Sequence, residues 1–383
     1  MTTGKTLNRK PDAGNPHGRL ESLDALRGFD MLLISGLGMT IIGFCKLFPG
    51  GSLNWLADQF RHVNWDGLVL WDTVFPLFVF IAGVSFPFSL SRQRERGDSV
   101  WRIHGRILRR LAALLLLGMV YNGVLQLNFK DFRYASVLGK IGMAWAFAAL
   151  LYTHFGIRAR ICIVLAMLAG YWALLTVTAP DAPPGCGPWT LKGCFPGYLD
   201  RIGFTPGHLY EKNILEPSGA PVSILGSSVT ASLGMLAGDL LRSARENLTP
   251  ARKAMLLAAT GVVLLLAGWC CVLFGCPVIK KLWTPSFTLL AGGYSFLMLA
   301  LFYWIIDVKG CRRWCRFLEV VGLNAVTVYM FKRIVNCSAL SKFFFGGVAR
   351  FFPNPEFMVG LGVLLICWGL CWFLDRQRIY LKV

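Results

Sequence analysis

Residues His62 to Gly83 read HVNWDGLVLWDTVFPLFVFIAG, a polar cluster running without a break into an apolar stretch. His62, Asn64, Trp65, Asp66 and Asp72 fall in or just before the start of a hydrophobic helix. Ionisable groups at or inside a membrane are costly, and for that reason are usually functional. Histidine is also the side chain whose ordinary titration range suits proton transfer near neutral pH. The stretch therefore decides two things: the chain is read as a membrane protein, and its chemistry is expected where this span begins.

Composition agrees. Of 383 residues, 55% are hydrophobic and only 15% charged, against about 45–50% and about 25% in globular chains. A helical span needs roughly 20 apolar residues, and such runs recur along the chain. The expected fold is an all-α polytopic membrane protein of about ten transmembrane helices. The drafted spans are 28–47, 69–90, 107–125, 137–154, 161–178, 223–241, 254–275, 287–306, 317–336 and 356–374. Residues 1–18 read as a polar cytoplasmic tail, without the apolar segment of a cleavable signal. Residues 19–383 read as a single membrane domain.

The net charge of +19 is topological. About 24 of the 39 Lys and Arg fall in one set of alternating connections, and about 10 in the opposite set. The positive-inside rule then places both termini in the cytoplasm, and no nucleic-acid partner is expected. The longest outer connection, about 179–222, is rich in Pro and Gly but also in aromatics. It is read as a folded loop capping a site. The outer segment 48–68 carries apolar residues at helical spacing, which predicts a short interfacial helix delivering His62 to the membrane surface.

Cys186 and Cys194 lie in the outer loop, where a disulfide is one of two open readings. Cys311 and Cys315 lack two further ligands for a zinc site, so no metal is expected. The chain has no G-x-x-x-x-G-K-[ST] loop, no strand–G-x-G-x-x-G–helix unit and no His-Glu-x-x-His pair.

Each candidate residue has a plain reading and a functional one. His62 is either an interfacial histidine with one hydrogen bond or a general base. Asp72, just inside its span, is either half of a structural ion pair or the group that orients an imidazole. Arg102, Arg106, Arg109 and Arg110 serve as a positive-inside stop, and a subset can bind the phosphates of an anionic cosubstrate. Lys140, a turn inside its span, needs a partner or a watery cavity. Lys280 and Lys281 fall outside the positive-inside pattern and carry more weight for it. Asn324, within the ninth drafted span, either bonds between helices or faces a site.

Several motifs together resemble a known family. SLDALRGFDM (Ser22–Met31), His62-x-x-Trp65-x-Gly67, Asp72-x-x-Phe75-Pro76, VLGKIG (Val137–Gly142), LWTPSF and GLNAVTVYM occur in order from Arg19 onward. They look like the heparan-α-glucosaminide N-acetyltransferase family and its bacterial relatives of the NagX type. The resemblance implies a polytopic enzyme that carries acetyl from cytoplasmic acetyl-CoA to a glucosamine amino group across the membrane. It places the family's catalytic histidine on His62 and a functionally sensitive arginine on Arg133. The chain departs from the family at Gly139-Lys140, where Gln-Arg is frequent, and at Glu216-Pro217-Ser218-Gly219, where the pattern is D-P-E-G. The N-terminal luminal domain of the lysosomal enzymes has no counterpart in this sequence.

The resulting expectations are concrete. His62, Asp72 and Arg133 are the candidate catalytic residues, with His62 as base or acetyl carrier. Arg106, Arg110 and Lys140 are the candidates for holding acetyl-CoA. Asn64, Trp65, Glu216, Trp283 and Asn324 are the candidates for binding an amino-sugar or oligosaccharide acceptor. The lipid bilayer is the expected surrounding, the inner membrane if the source is bacterial, and a homodimer is left open. A sugar transporter and an O-acyltransferase of a cell-surface glycan are the competing readings.

Overall fold

The computed structural model describes residues 20–127, 136–204, 208, 222–244 and 247–381. It is an all-α polytopic membrane protein: the described residues form helices joined by loops, with two isolated β-bridges. Among the described residues, seven helices are long and apolar enough to cross a membrane. They are α1 (Glu21–Cys45), α3 (Leu70–Glu95), α6 (Ile157–Leu175), α8 (Ser223–Arg242), α9 (Pro250–Leu273), α10 (Pro285–Val308) and α14 (Pro355–Arg376). Between them lie α2 (Asn54–Asp58), α4 (Val100–Tyr121), α5 (Val137–His154) and α7 (Phe195–Gly203). The remaining helices are α11 (Cys315–Leu323), α12 (Ala325–Ile334) and α13 (Cys337–Ala349).

Every drafted span overlaps helix; two spans differ from the draft in an instructive way, and one helix lies outside it. The first helix begins at Glu21, before the drafted 28, because Asp24 and Arg27 are folded into it rather than left in water. Gly28 lets α1 approach α11 so closely that an added Cβ would lie 1.9 Å from the Leu318 carbonyl oxygen. The ninth span is not continuous but breaks at Asn324 between α11 and α12. Helix α13, with 13 residues, falls in a connection where no helix was expected; it is too short for the 20-residue criterion.

Buried apolar side chains form two large clusters on either side of α3, one against α1, α8, α10 and α11 and the other against α4, α5 and α10. Helices α6 and α9 lie at the periphery. Their outward residues, such as Leu165 (60% exposed) and Val263 (62% exposed), are apolar, as a lipid-facing surface requires. Contact between α3 and α8 is close: a Cβ on Gly234 would lie 2.1 Å from the Phe80 carbonyl oxygen. Small residues at helix–helix contacts are the usual device for packing in lipid.

Two irregularities shape the interior. In α1 a π-helical turn at Leu33–Leu37 contains Gly36 at φ 138°, a value open to glycine alone. The Lys332 ammonium donates to the Ile34 carbonyl of that turn. In α3, Pro76 supplies no N–H for the Asp72 carbonyl four residues earlier, which loosens the turn that carries Asp72.

Candidate active site

His62 stands in the loop between α2 and α3, and that loop is pinned at three points. The Trp71 N–H donates to the Gln59 carbonyl at 2.9 Å. Asp66 accepts from the Val278 N–H at 2.9 Å, and the Gly67 N–H donates to the Val278 carbonyl at 2.9 Å. The second and third contacts fasten the His62 loop to the segment that precedes α10, which carries Lys280. Gly67 has φ 129°, so the turn that points His62 back toward α3 needs glycine there.

The three groups meet at one carboxylate oxygen. His62 Nδ1 lies 2.8 Å from Asp72 Oδ1, and Lys280 Nζ lies 2.9 Å from the same oxygen. Lys280 Nζ also approaches His62 Nδ1, at 3.3 Å. The shorter contact decides the tautomer: Nδ1–H donates to Asp72, which leaves the Nε2 lone pair free. The His62 side chain is 62% exposed while that of Asp72 is 2% exposed. The imidazole thus faces solvent with its orienting carboxylate buried beneath it. Burial holds the Lys280 ammonium below the usual lysine range, partly offset by Asp72.

Beneath His62 is a chamber of about 280 Å³. His62 and Lys280 line one end, with Met31 and Ile34 of α1, Val74 and Phe75 of α3, and Tyr329 of α12 along the wall. A second cavity, a vestibule of about 980 Å³, opens toward the other ends of the helices. Arg27, Arg110, Arg316 and Arg378 line it, with Asp375 as the carboxylate among the lining residues. The two cavities share Phe78, Leu138, Ile141, Ala325 and Val326, which form a waist between them. One stripe of α3 runs past both: Trp71, Val74, Phe75 and Phe78, then Ala82 and Ser85. That is helical spacing on one face, and at 1.5 Å per residue it extends about 21 Å.

Within the vestibule the arginines are differently held. Arg27 pairs with Asp24 at 3.1 Å and donates to Ser85 Oγ at 3.2 Å. Arg316 pairs with Asp375, whose other oxygen accepts from the Tyr380 hydroxyl at 2.8 Å. Arg110 stacks over the Trp145 ring at 4.2 Å, and its Nε has no hydrogen-bond partner among the described residues. A buried guanidinium edge without a partner, facing a basic cavity, fits an anionic ligand.

The other expected site residues are placed as follows. Arg106 pairs with Asp98 and donates to Gln93 at 2.9 Å; it lines neither cavity. Asp98 is held below the usual carboxylate range by Arg106 and Arg102, which marks a closed ion-pair cluster rather than a free anion site. Lys140 is 1% exposed, bonded to Ser223 Oγ at 2.8 Å and over the Trp283 ring at 4.3 Å. It is a packed cation behind the chamber, outside the vestibule where the coenzyme role would require it. Trp283 is fully buried, donates its indole N–H to Thr230 Oγ1 at 3.1 Å and supports Phe75 edge-on. Asn324, also buried, bonds back to the Val320 carbonyl at 3.4 Å and marks the α11–α12 break. Neither Trp283 nor Asn324 lines the chamber or the vestibule, and the buried Asn324 Oδ1 has no hydrogen-bond partner among the described residues. Asn64 is exposed beside His62. Trp65 donates its indole N–H to the Trp189 carbonyl at 2.7 Å, tying the long outer loop to the His62 loop. Arg133 and Glu216 lie outside the described residues. Cys186 and Cys194 are both free thiols.

Lys280, Arg27, Arg316 and Arg378 were not among the expected site residues. The signal for Lys280 was its place outside the positive-inside pattern; the arginines gave none beyond their charge.

No family model matches the chain. Among proteins of known function it is similar to heparan-alpha-glucosaminide N-acetyltransferase of Homo sapiens, at 29% identity across 82% of this chain and 52% of the human protein. The Mus musculus protein of the same name is 28% identical, across 82% of this chain and 54% of its own length. The chain thus spans about half the length of these curated relatives. That similarity to heparan-alpha-glucosaminide N-acetyltransferases runs through most of this chain's residues.

Proposed function

We propose that this chain is an N-acetyltransferase that moves acetyl from acetyl-CoA, bound at the Arg110 end, to the amino group of a glucosamine-type sugar at the His62 end. One observation carries the reading: a basic cavity and a histidine-bearing cavity meet at a shared waist. The names of the relatives supply the acetyl group and the glucosaminide acceptor. By the positive-inside argument the vestibule faces the cytoplasm, in the inner membrane if the source is bacterial.

In the vestibule, Arg110, Arg27, Arg316 and Arg378 would hold the coenzyme phosphates. The roughly 21 Å stripe of α3 matches the reach of a pantetheine arm passing the waist. There the first turn of α12 begins, and the leading N–H groups of a helix have no partner within it; these suit the amide carbonyls of the arm. At the far end, His62 Nε2 takes the proton of the amine as its nitrogen attacks the thioester carbonyl. Lys280, lining the same chamber, is placed to stabilise the oxyanion. Collapse breaks the C–S bond, and the proton on His62 passes to the departing thiolate. Asp72 keeps Nδ1–H engaged throughout, so that Nε2 is always the working nitrogen. His62 can also carry the acetyl group itself, as nucleophile rather than base.

The test uses purified full-length protein in detergent with labelled acetyl-CoA and glucosamine. The expected product is the N-acetyl sugar, with His62→Ala folded and binding CoA but not transferring. Full activity in that variant removes the assignment, and acetyl found on a sugar hydroxyl would move the protein to O-acylation. Rapid quenching without acceptor separates the two roles of His62: label on His62 means a carrier, and none means direct transfer.

A further inference from the structure

We propose that a groove between α1, α13 and α14, at the His62 end of the bundle, binds an anionic phospholipid with its phosphate on Lys342. The groove has about 650 Å³. Met39 of α1, Ala349 of α13 and Val359 of α14 give it apolar walls, and its polar lining residues are Ser338, Lys342 and Glu356. Chain order fixes the end of the bundle. Helix α1 finishes at Cys45 and leads through α2 into the His62 loop. Near that finish, a Cβ on Gly43 would lie 2.5 Å from the backbone nitrogen of Phe357, in the first turn of α14. Helix α13 folds back on α14, where the Ser341 hydroxyl donates to the Val359 carbonyl at 2.8 Å. Its outward side is hydrocarbon: Phe343 is 81% exposed and Phe344 64%. With 13 residues it is about 20 Å long and too short to span. The groove therefore belongs to the half of the membrane nearest His62, and Met39 and Lys342 both keep exposed surface there.

Charge names the occupant. Glu356 is already paired with Lys46, at 2.5 Å. Lys342 has no ion pair or hydrogen bond among the described residues, and neither has the Ser338 hydroxyl one turn before it. A cation beside hydrocarbon needs a counter-charge or must reach back to the interface. Lys342 sits seven residues from the end of α13, about 10 Å along the helix, and its long stem can carry the ammonium toward the headgroup layer. A phospholipid brings a phosphodiester to that layer as part of the membrane, with its chains against Met39 and Val359. Roughly twenty waters at about 30 Å³ each would also fill the volume, but they leave those walls wet and Lys342 without a counter-charge. A second copy of the chain would have to carry a carboxylate through hydrocarbon to reach Lys342, a desolvation cost that a lipid does not incur. With Glu356 neutralised inside the protein, the groove keeps one net positive charge. A headgroup with net negative charge matches it, whereas a zwitterionic one adds a cation beside Lys46 and Lys342.

The experiment is native mass spectrometry of the full chain released from detergent, titrated with palmitoyl-oleoyl phosphatidylglycerol or with phosphatidylcholine of the same chains. Phosphatidylglycerol should be retained at least about tenfold more tightly, the ratio that a charged hydrogen bond gives. Lys342→Gln should abolish that preference. Lys309→Gln, the same change of charge beside Trp304, should keep it. Gly346→Phe fills the groove from α13, where nothing lies within 4 Å of an added Cβ, so the variant should fold and lose the tightly held lipid. Equal retention of the two lipids, or a preference that survives either groove variant, means annular lipid only and overturns the site. Displacement of phosphatidylglycerol by millimolar inorganic phosphate means a free-anion site and overturns the lipid. A change of oligomer mass in Gly346→Phe with the lipid retained means a contact between copies and overturns it as well. None of these measurements depends on turnover, so their failure leaves the transferase reading untouched.

Discussion

At the scale of single residues, the site depends on one buried carboxylate serving two partners. Asp72 Oδ1 accepts from both His62 and Lys280, so each substitution around it should fail differently. Asp72→Asn keeps the shape but no longer fixes which imidazole nitrogen carries the proton. By analogy with other histidine–carboxylate pairs, kcat should fall by about 10²–10⁴ with little change in the KM for acetyl-CoA. Lys280→Met removes the proposed oxyanion donor and should cost about 10²–10³ in kcat. If Lys280 only held the loop in place, Lys280→Met would instead raise KM and lower thermal stability together, so steady-state kinetics with a melting curve tells the roles apart. A different carboxylate governs pH dependence. Asp200, in α7, is 2% exposed, and burial raises its pKa to about 7. Its unfolded value is about 3.9, so between those limits the folded state binds more protons than the unfolded one. Stability should therefore decline as pH rises from about 4 to 7. Melting temperature measured across that range should show the slope, and Asp200→Asn should flatten it.

At the scale of helices, close backbone approach decides stability, and glycine substitutions read it out. In an unobstructed helix Gly→Ala gains up to about 1 kcal/mol. At Gly234 the new methyl would meet the Phe80 carbonyl at 2.1 Å, and overpacking of that kind costs about 1–3 kcal/mol. The cost outweighs the gain, so Gly234→Ala should lower the melting temperature. Gly347, in α13, has nothing within 4 Å of its would-be Cβ, so Gly347→Ala should hold or raise it. Opposite signs for one substitution type on two helices would confirm that α3–α8 contact sets the limit; equal signs would refute it. Most of these helices were legible in the sequence, because apolar runs of span length are a strong signal. The break at Asn324 was not. It is a tertiary outcome in a segment whose hydropathy is uninterrupted, with the Asn side chain returned to Val320. The His62–Asp72 pair was legible because ten residues separate them. Lys280 joins them across 208 residues of sequence, through backbone bonds between the Gly67 and Val278 segments that no local pattern announces. The vestibule was harder still: its arginines arrive from α1, α4, α11 and the C-terminal tail. Adjacent Arg106 and Arg110 look equivalent in sequence, but one helical turn separates a closed ion pair from a cavity wall.

At the scale of the whole molecule, the two ends of the site belong to opposite faces of the helix bundle, and that sidedness can be measured. The excess of Lys and Arg and the vestibule's arginines fall at the same end of the bundle, the end proposed to receive acetyl-CoA. In proteoliposomes of fixed orientation, acetyl-CoA supplied only at the vestibule face should acetylate glucosamine supplied only at the His62 face. Supplying both at the His62 face alone should yield no product. Arg110→Ala should raise the KM for acetyl-CoA at least tenfold, given about 1.5–3 kcal/mol for a charged hydrogen bond, while Arg106→Ala should leave it nearly unchanged. The waist offers the sharper test, because it is the only structural element shared by both cavities among the described residues. Ala325→Trp should narrow the passage between Phe78 and Ile141 without touching either charged end. CoA binding, measured by calorimetry, should survive while transfer to the far-side sugar is lost. If that variant still transfers at the wild-type rate, the acetyl group does not pass through the waist, and the route must lie elsewhere in the bundle.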